Sequence, residues 1–159
     1  MVRGKLKVKS KAIVPDSKYK RGDITKFINK VMVRGQKDTA RNLVYSALEK
    51  AQEKIKKDPV EIFEEALKNV SPILEVRPKR IGGAAYQIPV EVSNKRKQHL
   101  AMKWIIEAAR ARKGKSFDEK LAEELGDAIN STGGAYKKKE DAHKMADANK
   151  ALAYLARMK

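Results

Sequence analysis

Cysteine is absent from the sequence, which excludes disulfides, thiolate metal sites and a cysteine nucleophile. Histidine is nearly absent too: His99 and His143 are the only two, and neither sits in an HExxH pair or beside another ligand type. Both read as solvated or core side chains. Aromatic residues make up 6% of the chain, and no strand carries the paired aromatics on which single-stranded bases stack. No uninterrupted apolar run approaches the ~20 residues that span a bilayer. Residues 1–15 spread their cations along the segment and lack an apolar h-region, so they do not read as a signal peptide, and the chain is expected to stay in the cytoplasm.

Acid is in short supply as well. The 159 residues hold 20 Asp and Glu against 37 Lys and Arg, a formal net charge of +17. Self-repulsion on that scale disfavours a compact state unless a polyanion neutralises it; nucleic acid, an anionic membrane or an acidic protein could serve, and the membrane is the weakest of the three. The apolar residues recur with regular periods, so the chain is expected to fold, and its length fits one domain.

Residues 1–22 read as a basic N-terminal extension that orders on a polyanion, with eight cations against the single Asp16. Residues 23–159 read as one helical domain. Asp23 is placed to cap a helix whose stripe is Ile24, Phe27, Ile28 and Val31, and Gly35 breaks the pattern. A second helix is predicted over about 37–56. Asp58-Pro59-Val60-Glu61 then gives an N-cap, a proline at the first helical position and a glutamate that can reach back, opening a third.

In residues 73–92 the apolar period changes to two, through Leu74 and Val76, then Tyr86, Ile88, Val90 and Val92. Gly82-Gly83 lies between the runs and supplies the positive φ of a hairpin turn. Pro78 and Pro89 lack the ladder N–H of a central strand, so an isolated two-stranded ribbon is expected. Helical period returns near Arg96 with Leu100, Ala101, Trp104, Ile105 and Ala108. A capping box at 116–119 opens an acidic helix bearing Asp118, Glu119, Glu123, Glu124 and Asp127 against Lys120, a helix expected to face away from nucleic acid. A last helix is predicted over about 137–157, its stripe running from Met145 to Ala156. The predicted fold is mainly α: a six-helix, bundle-like domain with a protruding β-ribbon.

No catalytic constellation emerges. Lys113-Gly114-Lys115-Ser116 looks like the tail of a phosphate loop, but Ala109 stands where that loop needs glycine and a helix precedes it instead of a strand. Carboxylate pairs such as Glu64–Glu65 lie on charged helix faces, and Ser131-Thr132 has no adjacent base. An enzyme acting on nucleic acid is therefore disfavoured, and neither metal nor cofactor is expected. A DNA-binding module would need base-reading side chains at the first turn of a recognition helix, which the helix after Arg96 lacks.

The cations fall into four clusters. The extension carries Arg3, Lys5, Lys7, Lys9, Lys11, Lys20 and Arg21. The ribbon tip carries Arg77, Lys79 and Arg80; the stretch 95–113 carries Arg96, Lys97, Lys103, Arg110, Arg112 and Lys113; and the last helix carries Lys137, Lys138 and Lys139. A charge run is often only a solvated face. Here the clusters flank neutral and acidic helices, which favours phosphate-dominated docking on structured RNA. With about eight phosphate contacts, log affinity should fall with log salt at a slope of roughly −6 to −7.

Four separated runs carry a resemblance to a known family. Arg80-Ile81-Gly82-Gly83-Ala84-Ala85-Tyr86-Gln87-Ile88-Pro89-Val90-Glu91-Val92 resembles the signature hairpin of small-subunit ribosomal protein seven. Residues 138–151 (KKEDAHKMADANKA), 100–110 (LAMKWIIEAAR) and 44–49 (VYSALE) are similar to that family in the same order. The resemblance implies six helices with a protruding ribbon, no enzymatic activity, and a place in the ribosome. It implies binding to the 3′ major domain of small-subunit rRNA, initiation of head assembly, and a position near the exit-site tRNA and the mRNA path beside other head and platform proteins. Carried over by position, it adds Arg34 and Lys37 at the first interhelical turn to the RNA contacts, and turns Gly82 and Gly83 toward tRNA. This sequence departs from the family at Ser93-Asn94, often Arg-Pro in bacterial members, at Pro78, and in lacking a terminal tryptophan.

Overall fold

A computed structural model describes residues 12–156. Six α-helices and one hairpin follow in chain order: α1 (Gly22–Val31), α2 (Lys37–Ile55), α3 (Pro59–Val70), β1 (Leu74–Ile81), β2 (Ala84–Glu91), α4 (Asn94–Ala111), α5 (Phe117–Ile129) and α6 (Gly133–Ala148). A 3₁₀ segment, Lys150–Ala156, closes the described chain. The expected mainly helical architecture with a two-stranded ribbon is therefore observed.

The core gathers the predicted stripes. Ile24, Phe27 and Ile28 of α1 meet Val44 and Leu48 of α2, Ile62 and Phe63 of α3, and Met102 and Ile105 of α4. Phe27 and Phe63 pack edge to face with ring centroids 5.2 Å apart. The centre belongs to α5, whose Leu121 and Leu125 are fully buried while the helix packs on α2, α3, α4 and α6. A helix surrounded on four sides keeps its charged face only where partners neutralise it, and the surrounding cations do so.

Helix boundaries follow the local chemistry. At α3, the Asp58 carboxylate accepts from the Val60 amide at 2.7 Å ahead of Pro59, as predicted. At α1, Asp23 lies one residue inside the helix, where it accepts from the Ile24 amide and from the Arg21 guanidinium. The capping box at 116–119 does not form: the Ser116 side chain makes no bond to the helix amides, and Asp118 turns to the Lys50 ammonium and the Ser46 hydroxyl, both at 2.7 Å. Glu119, the carboxylate that would complete the box, is drawn to the same Lys50 ammonium at 3.3 Å, and the Ser116 hydroxyl bonds Asp118 instead of accepting from a helix amide.

The last helix differs most from its prediction. It begins at Gly133 and ends at Ala148, so the glycine pair lies in its first turn, and Met145 is exposed instead of buried. The reason lies on α5. Buried Glu124 accepts a hydrogen bond from the Ala135 amide at 2.7 Å, starting the helix four residues earlier than its apolar period suggests. Gly133 has φ +87°, and a Cβ there would lie 2.9 Å from the Asp127 Cβ. Gly133→Ala should therefore destabilise the fold by roughly 1–2 kcal/mol from backbone strain alone, a loss readable as a lowered thermal midpoint; an unchanged midpoint would contradict this placement.

The ribbon pairs Leu74 with Glu91 through Ile81 with Ala84, leaving a two-residue turn of Gly82 (φ 57°) and Gly83 (φ 88°). Positive φ at both turn positions matches the twist of the flanking strands and favours glycine. With two strands only, each is an edge, so Pro78 and Pro89 remove no central ladder bond. The base of the ribbon packs on α6 and the 3₁₀ segment, burying Ile88 and Leu155, while Ala84–Gln87 stay exposed. It is docked at its base and free at its tip.

The chain ahead of α1 also belongs to the body. Asp16 is buried and accepts from the Tyr45 hydroxyl at 2.8 Å and from the amides of Lys18 and Tyr19 at 3.1 Å. The Thr25 hydroxyl donates to the Val14 carbonyl at 2.9 Å. The docked part thus begins before residue 22, where the predicted extension ends.

Candidate nucleic-acid interface

The cations of the body divide into two populations. The first is neutralised within the fold. Lys18 pairs with Glu49, Lys57 with Glu65, Lys115 with Glu123, and Lys50 with Asp118 and Glu119. Arg112 is the extreme case. Its guanidinium donates to Glu124 at 2.7 and 2.9 Å and also pairs with Glu123 and Asp127. Since Glu124 is 1% exposed, this arginine, predicted as an RNA contact, is occupied inside the protein. The acidic helix is accordingly ringed by cations of its own chain.

Asp118 shows the electrostatic consequence. Hydrogen bonds from Lys50 and Ser116, helped by Ser46, outweigh the effect of burial and hold its carboxyl well below the usual carboxylate range. A depressed folded-state value contributes stability above the unfolded value, near 3.8, that is lost as pH falls through and below it. Asp118→Asn should therefore cost on the order of 1 kcal/mol at pH 7. The gap from the unaltered protein should close on acidification below about pH 4, which thermal melts across pH would reveal; a gap that persists in acid would refute the linkage.

The second population centres on α4. Glu75, buried at the root of β1, bridges the ribbon to this helix by pairing with both Arg77 and Arg96. Burial alone would push the Glu75 carboxyl up, but the two guanidinium groups outweigh it and hold it below its ordinary value. Further along α4, Glu107 pairs with Lys103 of its own helix and with Lys138 of α6. Near the end of α4, Arg110 donates to the Val31 carbonyl at 3.1 Å, satisfying the last turn of α1. Lys139 donates to the Asn69 carbonyl at 2.7 Å and lies over the Tyr136 ring. The ribbon, α1 and α6 thus meet along one helix, with their cations held beside it.

Several predicted contacts stand exposed. Arg80 lies at the ribbon tip, Lys113 after α4, Lys137 on α6, and Arg34 and Lys37 at the α1–α2 turn, where Arg34 and Gly35 both have positive φ. Lys20 is exposed just before α1, whereas Arg21 is engaged by Asp23 and Glu64. Lys79 donates to the Leu155 carbonyl, fixing the ribbon to the 3₁₀ segment. Gly82 and Gly83 form the exposed turn. Arg3, Lys5, Lys7, Lys9 and Lys11 lie outside the described residues.

Two hollows flank the first turns of α4. One, of about 560 Å³, opens between α3, the start of β1 and α6; Lys68, Lys97, Lys139 and Lys144 outnumber Glu140 and Asp147 in its lining, around Tyr136 and His143. His143 is held there by the Ile73 amide, which donates to its Nε2 at 3.0 Å and ties the ribbon entry to α6. The other, of about 370 Å³, lies between α1 and α4 and contains Lys26, Lys30, Lys95 and His99. Lys26, Lys30, Lys68, Lys95 and Lys144 were not singled out by the sequence. They lie on polar faces of four separate segments, and only the packing brings them together.

A sequence profile of the family described as "Ribosomal protein S7p/S5e" matches residues 3–150. The chain belongs to that family. It is 54% identical over 151 residues to the "Small ribosomal subunit protein uS7" of Chloroflexus aggregans, covering 95% of this chain and 96% of the relative. The protein of the same name from Carboxydothermus hydrogenoformans is 54% identical over 147 residues, 92% of this chain and 94% of the relative. That from Thermotoga petrophila is 55% identical over 142 residues, 89% and 92% respectively. Family membership makes the chain a ribosomal protein with a structural and not an enzymatic task. Among the described residues, no helix is long and apolar enough to cross a membrane.

Proposed function

We propose that this member of the ribosomal protein S7p/S5e family is a structural constituent of the small ribosomal subunit that binds the 3′ major domain of small-subunit rRNA. In that reading it nucleates assembly of the subunit head and lies near the exit-site tRNA and the mRNA path, in contact with neighbouring head and platform proteins. The observation that carries the reading is the segregation of charge. Most cations around α5 are consumed by carboxylates, whereas Lys26, Lys30, Lys95, Lys97 and Lys144 have no ion pair among the described residues and gather around the start of α4, beside Arg96 and Lys103, which Glu75 and Glu107 offset. Phosphates are the partner such a surface selects, because binding them releases condensed counterions.

The exposed ribbon tip supports a second element of the proposal: Arg80 and the Gly82-Gly83 turn reach beyond the body toward RNA, with the glycines facing tRNA. The basic residues Arg3, Lys5, Lys7, Lys9 and Lys11 add phosphate contacts from the N-terminal side. Filter binding to separate transcripts of the rRNA domains tests the reading. The 3′ major domain should bind with a log–log salt slope of roughly −6 to −7 and the other domains far more weakly. Equal affinity for all domains, or a slope shallower than about −2, would overturn it.

A further inference from the structure

The notch between α1 and α4 has a chemistry that general RNA affinity does not require. Lys30 Nζ lies 2.9 Å from His99 Nδ1. An ammonium has only protons to offer, so Nδ1 presents its lone pair, and the imidazole is neutral with its proton on Nε2. Around this pair stand Lys26 on α1 and Lys95, Arg96 and Lys103 on α4. Arg96 and Lys103 are paired directly with Glu75 and Glu107, but no carboxylate pairs with Lys26, Lys30 or Lys95 among the described residues. Asn29 and Gln98 supply neutral donors on the same wall. Packing so many like charges around a small hollow is unfavourable unless an anion fills it.

We propose that this notch is a binding subsite for one phosphate group of an RNA backbone, with Lys30 and His99 as its inner donors. The inference rests on the RNA-binding reading and names one place where that RNA is held. Without an anion, burial first and then the charges of Lys30, Arg96 and Lys103 hold the imidazole below its ordinary value, and burial followed by Lys103 and Arg96 lowers Lys30 in the same way. A phosphate reverses the sign of the local field. Lys30 then turns its protons from Nδ1 to the phosphate oxygens, and Nδ1 is free to take up a proton. Binding is thereby linked to protonation of His99, and affinity rises as pH falls through the range in which the imidazole titrates.

The test uses the full chain, with His99 followed by NMR and RNA affinity measured from pH 8 to pH 5.5. Inorganic phosphate and a 3′ major domain transcript serve as separate probes. Binding of the transcript should raise the His99 titration midpoint. Affinity should increase toward low pH by about tenfold for each unit of that rise. His99→Gln should abolish the pH dependence, and His143→Gln, outside the notch, should preserve both the pH dependence and the affinity at pH 8. A His99 midpoint that does not respond to the transcript overturns the proposal, even if free phosphate moves it. So does a pH dependence that survives His99→Gln. In both cases tight, salt-sensitive RNA binding would leave the ribosomal reading standing. Loss of RNA binding in the unaltered protein would overturn that reading and this proposal with it.

Discussion

Arg112→Ala is expected to destabilise the protein by about 3–5 kcal/mol, because it strands the buried Glu124 carboxylate without a counter-charge. Glu124 is 1% exposed and receives two of its hydrogen bonds from this guanidinium and a third from the Ala135 amide. For a chain of this size the loss corresponds to a fall in thermal midpoint of roughly 10 °C. The partners dictate a control. Replacing Arg112 and Glu124 together by methionine removes both charges, so much of the loss should be recovered. The Ala135 amide would still lose its acceptor, which limits the recovery. A midpoint within about 2 °C of the unaltered protein after Arg112→Ala would show that the cluster is solvated and not structural. RNA affinity should change little in whatever fraction remains folded, since this arginine is committed to carboxylates.

The second large effect concerns where charge sits and not how much there is. Replacing Arg80, Lys95 and Lys97 together by alanine should lower RNA affinity about 10²–10³-fold near 0.1 M salt and make the log–log salt slope shallower by about 2–3. None of these three has an ion-pair partner among the described residues, so helical content should be unaffected. The matched variant removes Lys18, Lys54 and Lys57, which pair with Glu49, Glu123 and Glu65. It carries the same net charge, yet its affinity should change by no more than about threefold, the scale of long-range screening. Equal losses in the two variants would mean that the protein attracts RNA by total charge alone. Arg77 and Lys79 are less suitable for such a comparison: removing them also disturbs Glu75 and the docking on Leu155.

Much of the fold was legible because its helices announce themselves locally. The Ile24–Phe27–Ile28–Val31 stripe, Asp58-Pro59 and the Gly82-Gly83 turn between alternating strands are each sufficient on their own, and each appears where expected. The failures arise where a distant group overrides a local signal. Ser116 loses its capping role because its hydroxyl bonds Asp118 and its box partner Glu119 is drawn to Lys50 on α2. The start of α6 moves to Gly133 because Glu124, eleven residues before Ala135, holds its amide. Met145 has the right spacing for a buried face, but the helix ends at Ala148, and the apolar residues beyond it belong to a 3₁₀ segment that serves the ribbon.

The interface was legible in part. Clusters of cations can be counted in a sequence; which of them are spent on carboxylates cannot. Arg112 and Arg21 read like any other basic residue until Glu124, Asp23 and Glu64 are seen beside them. Conversely Lys26 and Lys30 sit on the solvent face of a short amphipathic helix, and His99 on that of another. Nothing local signals that α1 and α4 turn those faces into one notch.

Lysine acetylation footprinting, read by mass spectrometry with and without the 3′ major domain transcript, tests the division of charge most directly. Bound RNA should protect Lys26, Lys30, Lys95, Lys97 and Lys137 and leave the reactivity of Lys18, Lys50, Lys54 and Lys57 unchanged. Protection spread evenly over both sets, or confined to the second, would contradict the account.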